Sequence, residues 1–153
     1  MGRTKQSVQN EKWESFKPRD TKFTKICKDM QDSDAWHRLT LRQHGLYLFL
    51  KKKYVKRNNG TTNFDDIRIT DKDKRIMAIS DNTLYKDLDA LIDYGFIKVV
   101  FHGKPIHKPN IYGFSAMWRE YGTDKFFIHP NDKRLTKKNA YKGWCTTTLS
   151  APF

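Results

Sequence analysis

The sequence predicts an α+β domain of three helices and a small antiparallel sheet, with basic extensions at both ends. Apolar residues recur at helical spacing in three segments between residues 41 and 94. Two short β-branched and aromatic runs follow, separated by a turn rich in glycine and proline. Lysine and arginine gather toward the two termini. We expect a flexible basic arm over residues 1–22, the folded domain over 23–118, and a basic, aromatic tail over 119–153.

The first predicted helix covers about residues 41–55 and follows Thr40, a residue type that caps helix N-termini well. It ends before Asn58-Asn59-Gly60, a strong turn signal. Upstream, the spacing of "FTKICKDM" over residues 23–30 is compatible with a short additional helix. The apolar positions expected on the first helix are Leu41, Leu46, Leu48, Phe49, Leu50 and Tyr54.

A short strand around Ile67 and Ile69 is expected next, and then a short helix, "DKDKRIMA", capped by Thr70. Its buried side should hold Ile76, Met77 and Ile79. Ser80 or Asp81 then caps a longer helix that Gly95 terminates in the left-handed conformation. That helix carries a clean apolar stripe at positions i, i+4, i+7 and i+8, formed by Leu84, Leu88, Leu91 and Ile92.

Two strands complete the predicted domain. Residues 96–101 are β-branched and aromatic, and residues 111–114 return as a second strand after a basic turn region. The turn contains glycine, proline and asparagine, the residues that favour a hairpin connection.

The net charge is +13 and the isoelectric point is about 9.8, values that favour a polyanionic partner, most often nucleic acid. The charge is uneven. Residues 1–57 hold 15 lysines and arginines against 6 acids, residues 58–101 hold 6 against 8, and residues 102–153 hold 9 against 3. The flanks should therefore supply much of any phosphate contact.

Several sequence features bear on location and chemistry. No run of 18 apolar residues exists, and the N-terminus lacks the apolar centre of a secretory signal, so we expect a cytoplasmic protein without membrane association. Cys27 and Cys145 fit a reducing compartment without disulfides. Because no GxxxxGK[ST], GxSxG or HExxH motif is present, we expect neither an enzyme nor a cofactor. The acidic run "DDIRITDKD" and the His102/His107 spacing match no complete metal motif, so no metal is expected. A metal-dependent nuclease that uses this acidic cluster is the weakest alternative.

The run "IRIT–DKDKRIMA–ISDN–TLYKDLDALIDYGFI–KVV" resembles the pattern of bacterial winged helix-turn-helix proteins. The run "SDAWHRLT…GLYLFLKKKY…RNNG" is similar to the first helix of small winged-helix proteins of phages, plasmids and integrative elements, some of them replication-initiator-like and some regulators. The resemblance covers about residues 35–115. It implies sequence-specific binding of double-stranded DNA, with a role in transcription or replication.

In such a fold the start of the second motif helix enters the major groove. The outward positions there are Asp81, Asn82, Thr83, Tyr85 and Lys86. Asn82 suits adenine, Thr83 a base edge or thymine methyl, and Lys86 guanine or phosphate. The alternative is that these residues only begin a helix and cover apolar surface. The acids of this helix are a departure from the family pattern, because carboxylates repel phosphate; Asp87, Asp89 and Asp93 join Asp81 against a single lysine.

Two further basic groups are candidates for contact with the DNA backbone. The tip of the predicted hairpin, or wing, holds His102, Lys104, His107 and Lys108. The end of the first helix holds Lys51, Lys52, Lys53, Lys56 and Arg57. The alternatives are a solvated hairpin tip and a helix C-terminus stabilised by cations without any ligand.

Three partner hypotheses accompany the DNA-binding one. A two-fold homodimer on a palindromic site fits the resemblance. An origin-binding replication initiator would use the aromatic tail, with Trp144 and Phe153, to contact a replication or regulatory protein. A winged-helix module that binds protein without DNA is favoured by the acidic motif helix and opposed by the net charge.

Overall fold

The computed structural model describes residues 24–136. This part of the chain is α+β, as expected, with five α-helices and a three-stranded antiparallel sheet, an arrangement compatible with a winged helix. The helices are α1 (Lys28–Gln31), α2 (Asp34–His37), α3 (Leu41–Lys52), α4 (Asp71–Met77) and α5 (Asp81–Asp93). The strands are β1 (Ile67–Arg68), β2 (Ile97–Phe101) and β3 (Ile111–Phe114). Three short 3₁₀ helices, η1 (Lys104–Ile106), η2 (Met117–Glu120) and η3 (Pro130–Asp132), lie in the connections.

The strand that comes last in the chain lies in the middle of the sheet, which has the order β1-β3-β2. Tyr112 of β3 is paired with Ile67 on one side and with Val99 on the other. All three side chains are buried, so they line the face of the sheet that packs on the helices. The connection from β2 to β3 forms a hairpin loop over residues 102–110.

The three longer helices begin where the sequence predicts, because each has a hydroxyl side chain at its N-cap. The side-chain oxygens of Thr40, Thr70 and Ser80 each accept a hydrogen bond from the amide three residues further on. Such a cap stabilises a helix by about 1 kcal/mol. Of the two caps considered for α5, the structure uses Ser80. Ala78 in the left-handed conformation ends α4, and residues 78–80 connect α4 to α5.

The core is rich in aromatic rings, and Phe96 lies at its centre with no exposed surface. Its ring meets those of Trp36 and Tyr47 edge to face and stacks parallel to that of Trp118. The predicted apolar stripe of α5 is confirmed, since Leu84, Leu88, Leu91 and Ile92 are all buried. This packing holds α5 against both α3 and the sheet.

Some expected core positions are wrong. Leu41 is 87% exposed, Leu48 is 42% exposed and Ile76 is 63% exposed. Leu41 and Leu48 lie on the side of α3 opposite the face that buries Leu46 and Leu50. Short amphipathic helices bury one stripe, so an apolar residue outside that stripe stays on the surface. Tyr54 is also exposed, because α3 ends at Lys52 and not near residue 55.

Residues 119–136, expected to belong to a separate tail, lie against α5. The ring of Tyr121 contacts that of Tyr94 at the end of α5, with 5.4 Å between centroids. Gly95 brings the chain close at this point, since its φ is +79° and an added Cβ would lie 2.6 Å from the backbone nitrogen of Trp118. The predicted arm over residues 1–22 and the remainder of the tail, with Cys145, lie outside the described residues. No helix within residues 24–136 is long and apolar enough to cross a membrane.

Candidate nucleic-acid interface

The start of α5 exposes the residues expected to read DNA, and the structure divides them into two groups. Asn82 and Lys86 are exposed, and within residues 24–136 neither side chain has a hydrogen-bond or ion-pair partner. Asp81, Thr83 and Tyr85 are engaged within the protein. Asn82 and Lys86 therefore remain available to an external partner.

The engaged residues are held by nearby groups. Asp81 pairs with Lys74 of α4 at 3.0 Å. The hydroxyl of Thr83 lies 2.9 Å from that of Ser80. The ring of Tyr85 has the guanidinium of Arg134 4.5 Å from its centroid. Such contacts fix the orientation of these side chains at the edge of the helix.

All four acidic side chains of α5 are paired with cations, which removes the objection that the helix would repel phosphate as a bare acidic surface. The pairs are Asp81 with Lys74, Asp87 with Arg42, Asp89 with Arg134, and Asp93 with Lys133, at 3.0, 2.6, 2.6 and 2.9 Å respectively. Four carboxylates are thus matched by four cations from other segments. Lys86 is then the charge of the helix that has no ion-pair partner in the part of the chain that the structure describes.

Asp87 is the most buried of these acids, with almost no exposed surface. Two nitrogens of Arg42 donate hydrogen bonds to its carboxylate, at 2.6 and 3.0 Å, and the side-chain amide of Gln43 donates a third at 3.3 Å. A buried carboxylate is tolerated only with such partners. The hydrogen bond with Asp87 raises the pKa of Arg42 above its ordinary value.

Residues 129–136, which we call the strap, lie along the opposite side of α5. Arg134 donates two hydrogen bonds to the carboxylate of Asp89, at 2.7 and 2.6 Å. Lys133 pairs with Asp93 at 2.9 Å. At its other end, Nε2 of His102 donates to the backbone oxygen of Asn131 at 2.7 Å. The strap therefore joins α5 to the base of the hairpin.

The hairpin loop presents three of its four predicted residues to solvent. Lys104, His107 and Lys108 are exposed, whereas His102 is turned toward the strap and its Nδ1 is buried. The loop is tightly closed at Gly103, where an added Cβ would collide with the backbone oxygens of Lys108 and Pro109. The two lysines thus stand on a loop of defined shape.

The basic cluster at the end of α3 is divided in the same way. Lys51 lies over the ring of Phe114, 5.4 Å from its centroid, and Lys53 forms an ion pair with Asp73 of α4. Burial would raise the pKa of Asp73, but hydrogen bonds from Lys53 and Thr70 outweigh it and lower that pKa below its ordinary value. The exposed members of the cluster, free of ion pairs within the described chain, are Lys52, Lys56 and Arg57.

Sequence reasoning did not identify the partners of the α5 acids. Arg42 and Arg134 each lie 45 residues from the aspartate that they bind. No pattern within a few residues of either partner predicts an ion pair over that separation. The only signal was indirect, namely an acidic helix in a chain whose flanks are strongly basic.

Comparison of the chain with family models, with curated proteins and with solved structures gives no match. Residues 24–136 hold no cluster of three or more histidine, cysteine or acidic side chains able to bind a metal ion.

Proposed function

We propose that this chain is a winged helix-turn-helix protein that binds double-stranded DNA with sequence preference, as a regulator of transcription or replication in a bacterial mobile element. One observation carries the proposal. Within residues 24–136, Asn82 and Lys86 are exposed and have no hydrogen-bond or ion-pair partner, and they stand at the start of a helix whose carboxylates are all matched by cations.

The order of the elements supports the fold part of the proposal. Along the chain, helices α4 and α5 come between β1 and β2. The three-residue connection 78–80 joins the two helices, and a hairpin follows α5. The strand order β1-β3-β2 brings that hairpin beside β1. In a helix-turn-helix unit the second helix lies in the major groove with its N-terminal residues on base edges.

The exposed side chains suit different parts of a duplex. The side-chain amide of Asn82 can form two hydrogen bonds with adenine, and Lys86 can donate a hydrogen bond to guanine or phosphate. Lys104 and Lys108 on the hairpin are point charges suited to phosphate. Lys52, Lys56 and Arg57 extend the basic surface from α3. Base reading thus belongs to α5 and most of the phosphate contact to its surroundings.

The alternative of a protein-binding module without DNA rested on the acids of α5. Because each of those acids has a cationic partner within the chain, they form no free acidic surface for a basic protein. The net charge of +13 favours a polyanion instead.

A selection from a mixed duplex library at several salt concentrations tests the proposal. Three double variants accompany the wild type: Asn82→Ala/Lys86→Ala on α5, Lys104→Ala/Lys108→Ala on the hairpin, and Lys28→Ala/Lys125→Ala as a control. The control removes two exposed lysines from α1 and from the loop after η2, so it matches the hairpin variant in charge.

The proposal predicts that the wild type enriches a defined site and that the α5 variant loses this preference, since one good base pair contact contributes about 1–3 kcal/mol of discrimination. The hairpin variant should weaken all duplexes alike and reduce the slope of log K against log salt by about 2. The control should retain the site. Binding without any enriched site, equally weakened by the hairpin and control variants, would show that net charge alone is responsible.

A further inference from the structure

The flank of α5 that faces the strap carries two acids at i and i+4, Asp89 and Asp93, which lie on one face of the helix. Lys86 stands next to them on the exposed surface. If α5 enters a groove, these two carboxylates approach the phosphates at its edge. Their ion pairs with the strap therefore affect how strongly the helix is repelled by phosphate.

Arg134 is held on this flank of α5 by several contacts. Both of its hydrogen bonds to Asp89 are short, its guanidinium lies 4.5 Å from the centroid of the Tyr85 ring, and its side chain is only 12% exposed. A two-point pair of this kind holds the planar guanidinium in a fixed orientation. Lys133, by contrast, is 46% exposed in its pair with Asp93.

We infer that Lys133 and Arg134 are positioning residues for DNA binding, because they neutralise Asp89 and Asp93 and thereby let α5 approach phosphate. This inference rests on the proposed function. Arg134 acts through Asp89 and does not itself contact DNA. The strap also fixes the hairpin relative to α5, since its Asn131 accepts the hydrogen bond from His102.

The electrostatic consequence is large enough to measure. Without Arg134, Asp89 becomes an unmatched negative charge on the approach surface. At the effective dielectric constant near a protein surface, one such charge about 12 Å from a phosphate weakens binding by roughly tenfold. Lys133 and Asp93 are both about half exposed, so the loss of Lys133 should matter less, roughly twofold to threefold.

A double-mutant cycle on Arg134 and Asp89 tests the inference. Binding of a duplex selected by the wild type is measured by fluorescence anisotropy for the wild type, Arg134→Gln, Asp89→Asn and the double variant, at several salt concentrations. Arg68→Gln serves as the control, because Arg68 also pairs with an aspartate, Asp66 at 2.7 Å, but on β1 in an exposed pair. Thermal unfolding checks that each variant is folded.

The inference predicts that Arg134→Gln binds roughly tenfold more weakly, with an unchanged salt slope. Asp89→Asn should bind at least as tightly as the wild type, and the double variant should return to within about twofold of it. Arg68→Gln should change little. If Arg134→Gln proves poorly folded, Asp89→Asn still decides, because a purely structural role for the pair would weaken its DNA binding.

Three results would overturn the inference. A double variant as weak as Arg134→Gln, with a salt slope lower by about 1, would show that Arg134 contacts phosphate itself. Tighter binding by Arg134→Gln would show that the strap obstructs the helix. Weaker binding by Asp89→Asn would show a structural role. Failure of the wild type to bind any duplex would instead refute the proposed function, and the inference with it.

Discussion

The two flanks of α5 carry the same kind of ion pair with the burial reversed. Facing α3, the side chain of Asp87 is 1% exposed and its partner Arg42 is 55% exposed. Facing the strap, the side chain of Asp89 is 39% exposed and that of its partner Arg134 is 12% exposed. On the first flank a surface arginine compensates a buried acid. On the second, an arginine that is mostly shielded from water compensates an acid near the surface.

The helix itself explains this division. Residues 87 and 89 point in directions about 200° apart, so one faces α3 and the other faces the strap. Salt bridges of the same kind therefore have different effects on the two flanks. Loss of the α3-side pair leaves a charge in the core, whereas loss of the strap-side pair leaves a charge on the proposed DNA-facing surface. The first should alter stability and the second should alter binding.

Arg42→Ala should give the largest loss of stability of any ion-pair substitution in the described chain, several-fold larger than that of Arg134→Gln. It leaves the buried Asp87 with only the amide of Gln43 as a partner, and an uncompensated buried charge is strongly destabilising. Urea unfolding followed by circular dichroism measures the effect. The double variant Arg42→Ala/Asp87→Leu should recover much of the loss, and a double variant less stable than Arg42→Ala would contradict this account.

Gly95→Ala should lower the free energy of unfolding by about 2 kcal/mol, because it places a side chain at positive φ. The added Cβ would also meet the backbone of Trp118. The strap side of α5 should loosen as well, since Gly95 lies against η2, from which the chain continues to the strap. Gly122→Ala is a suitable control, because its φ is +82° but an added Cβ meets nothing within 4 Å. Equal losses for the two variants would show that the close contact contributes nothing.

The pair of Asp73 with Lys53 lies outside both flanks and gives a reference for them. Asp73→Asn should lower the free energy of unfolding by about 1 kcal/mol at neutral pH, as a weakened helix cap does. The folded-state pKa of Asp73 lies below its ordinary value of 3.8, so ionised Asp73 stabilises the fold above that value. The stabilisation is lost as the pH falls through the lowered pKa. Urea unfolding at a series of pH values should show the wild type and the variant converging as the pH falls below the ordinary pKa of 3.8. A difference that stays constant to low pH would contradict this assignment.

Arg134→Gln should have the smallest effect on stability, less than about 1 kcal/mol, because its partner Asp89 is partly exposed to water. We expect this variant to unfold nearly like the wild type while its affinity for DNA falls, which would separate the effects of the two flanks. Thermal unfolding in parallel with Arg42→Ala measures the contrast. A stability loss for Arg134→Gln as large as that for Arg42→Ala would remove the distinction between the flanks.

The parts of the fold that depend on neighbouring residues could be predicted from the sequence. The caps at Thr40 and Thr70, the end of α5 at Gly95, and the strand at residues 111–114 are set by signals within a few positions. The exposure of Leu41 could not be predicted in this way, because α3 has apolar residues on more than one side and only packing selects the buried one.

The pairs that shape the candidate site depend on tertiary structure. Arg134 reaches Asp89 only because the chain turns at η2 and returns along α5, and the sequence after Trp118 has no periodicity that predicts this path. The acids of α5 therefore seemed unfavourable for DNA binding from sequence alone. Their partners lay in segments assigned to a different helix and to the tail.

The central claim, that the start of α5 and the hairpin form the DNA-binding surface, is tested most directly by nuclear magnetic resonance. The amide signals of ¹⁵N-labelled protein are followed during titration with a selected duplex. The account predicts the largest shifts at residues 82–86 and 102–110, with little change in α1 and α2. Large shifts confined to α1 and α2, with residues 82–86 unchanged, would contradict it.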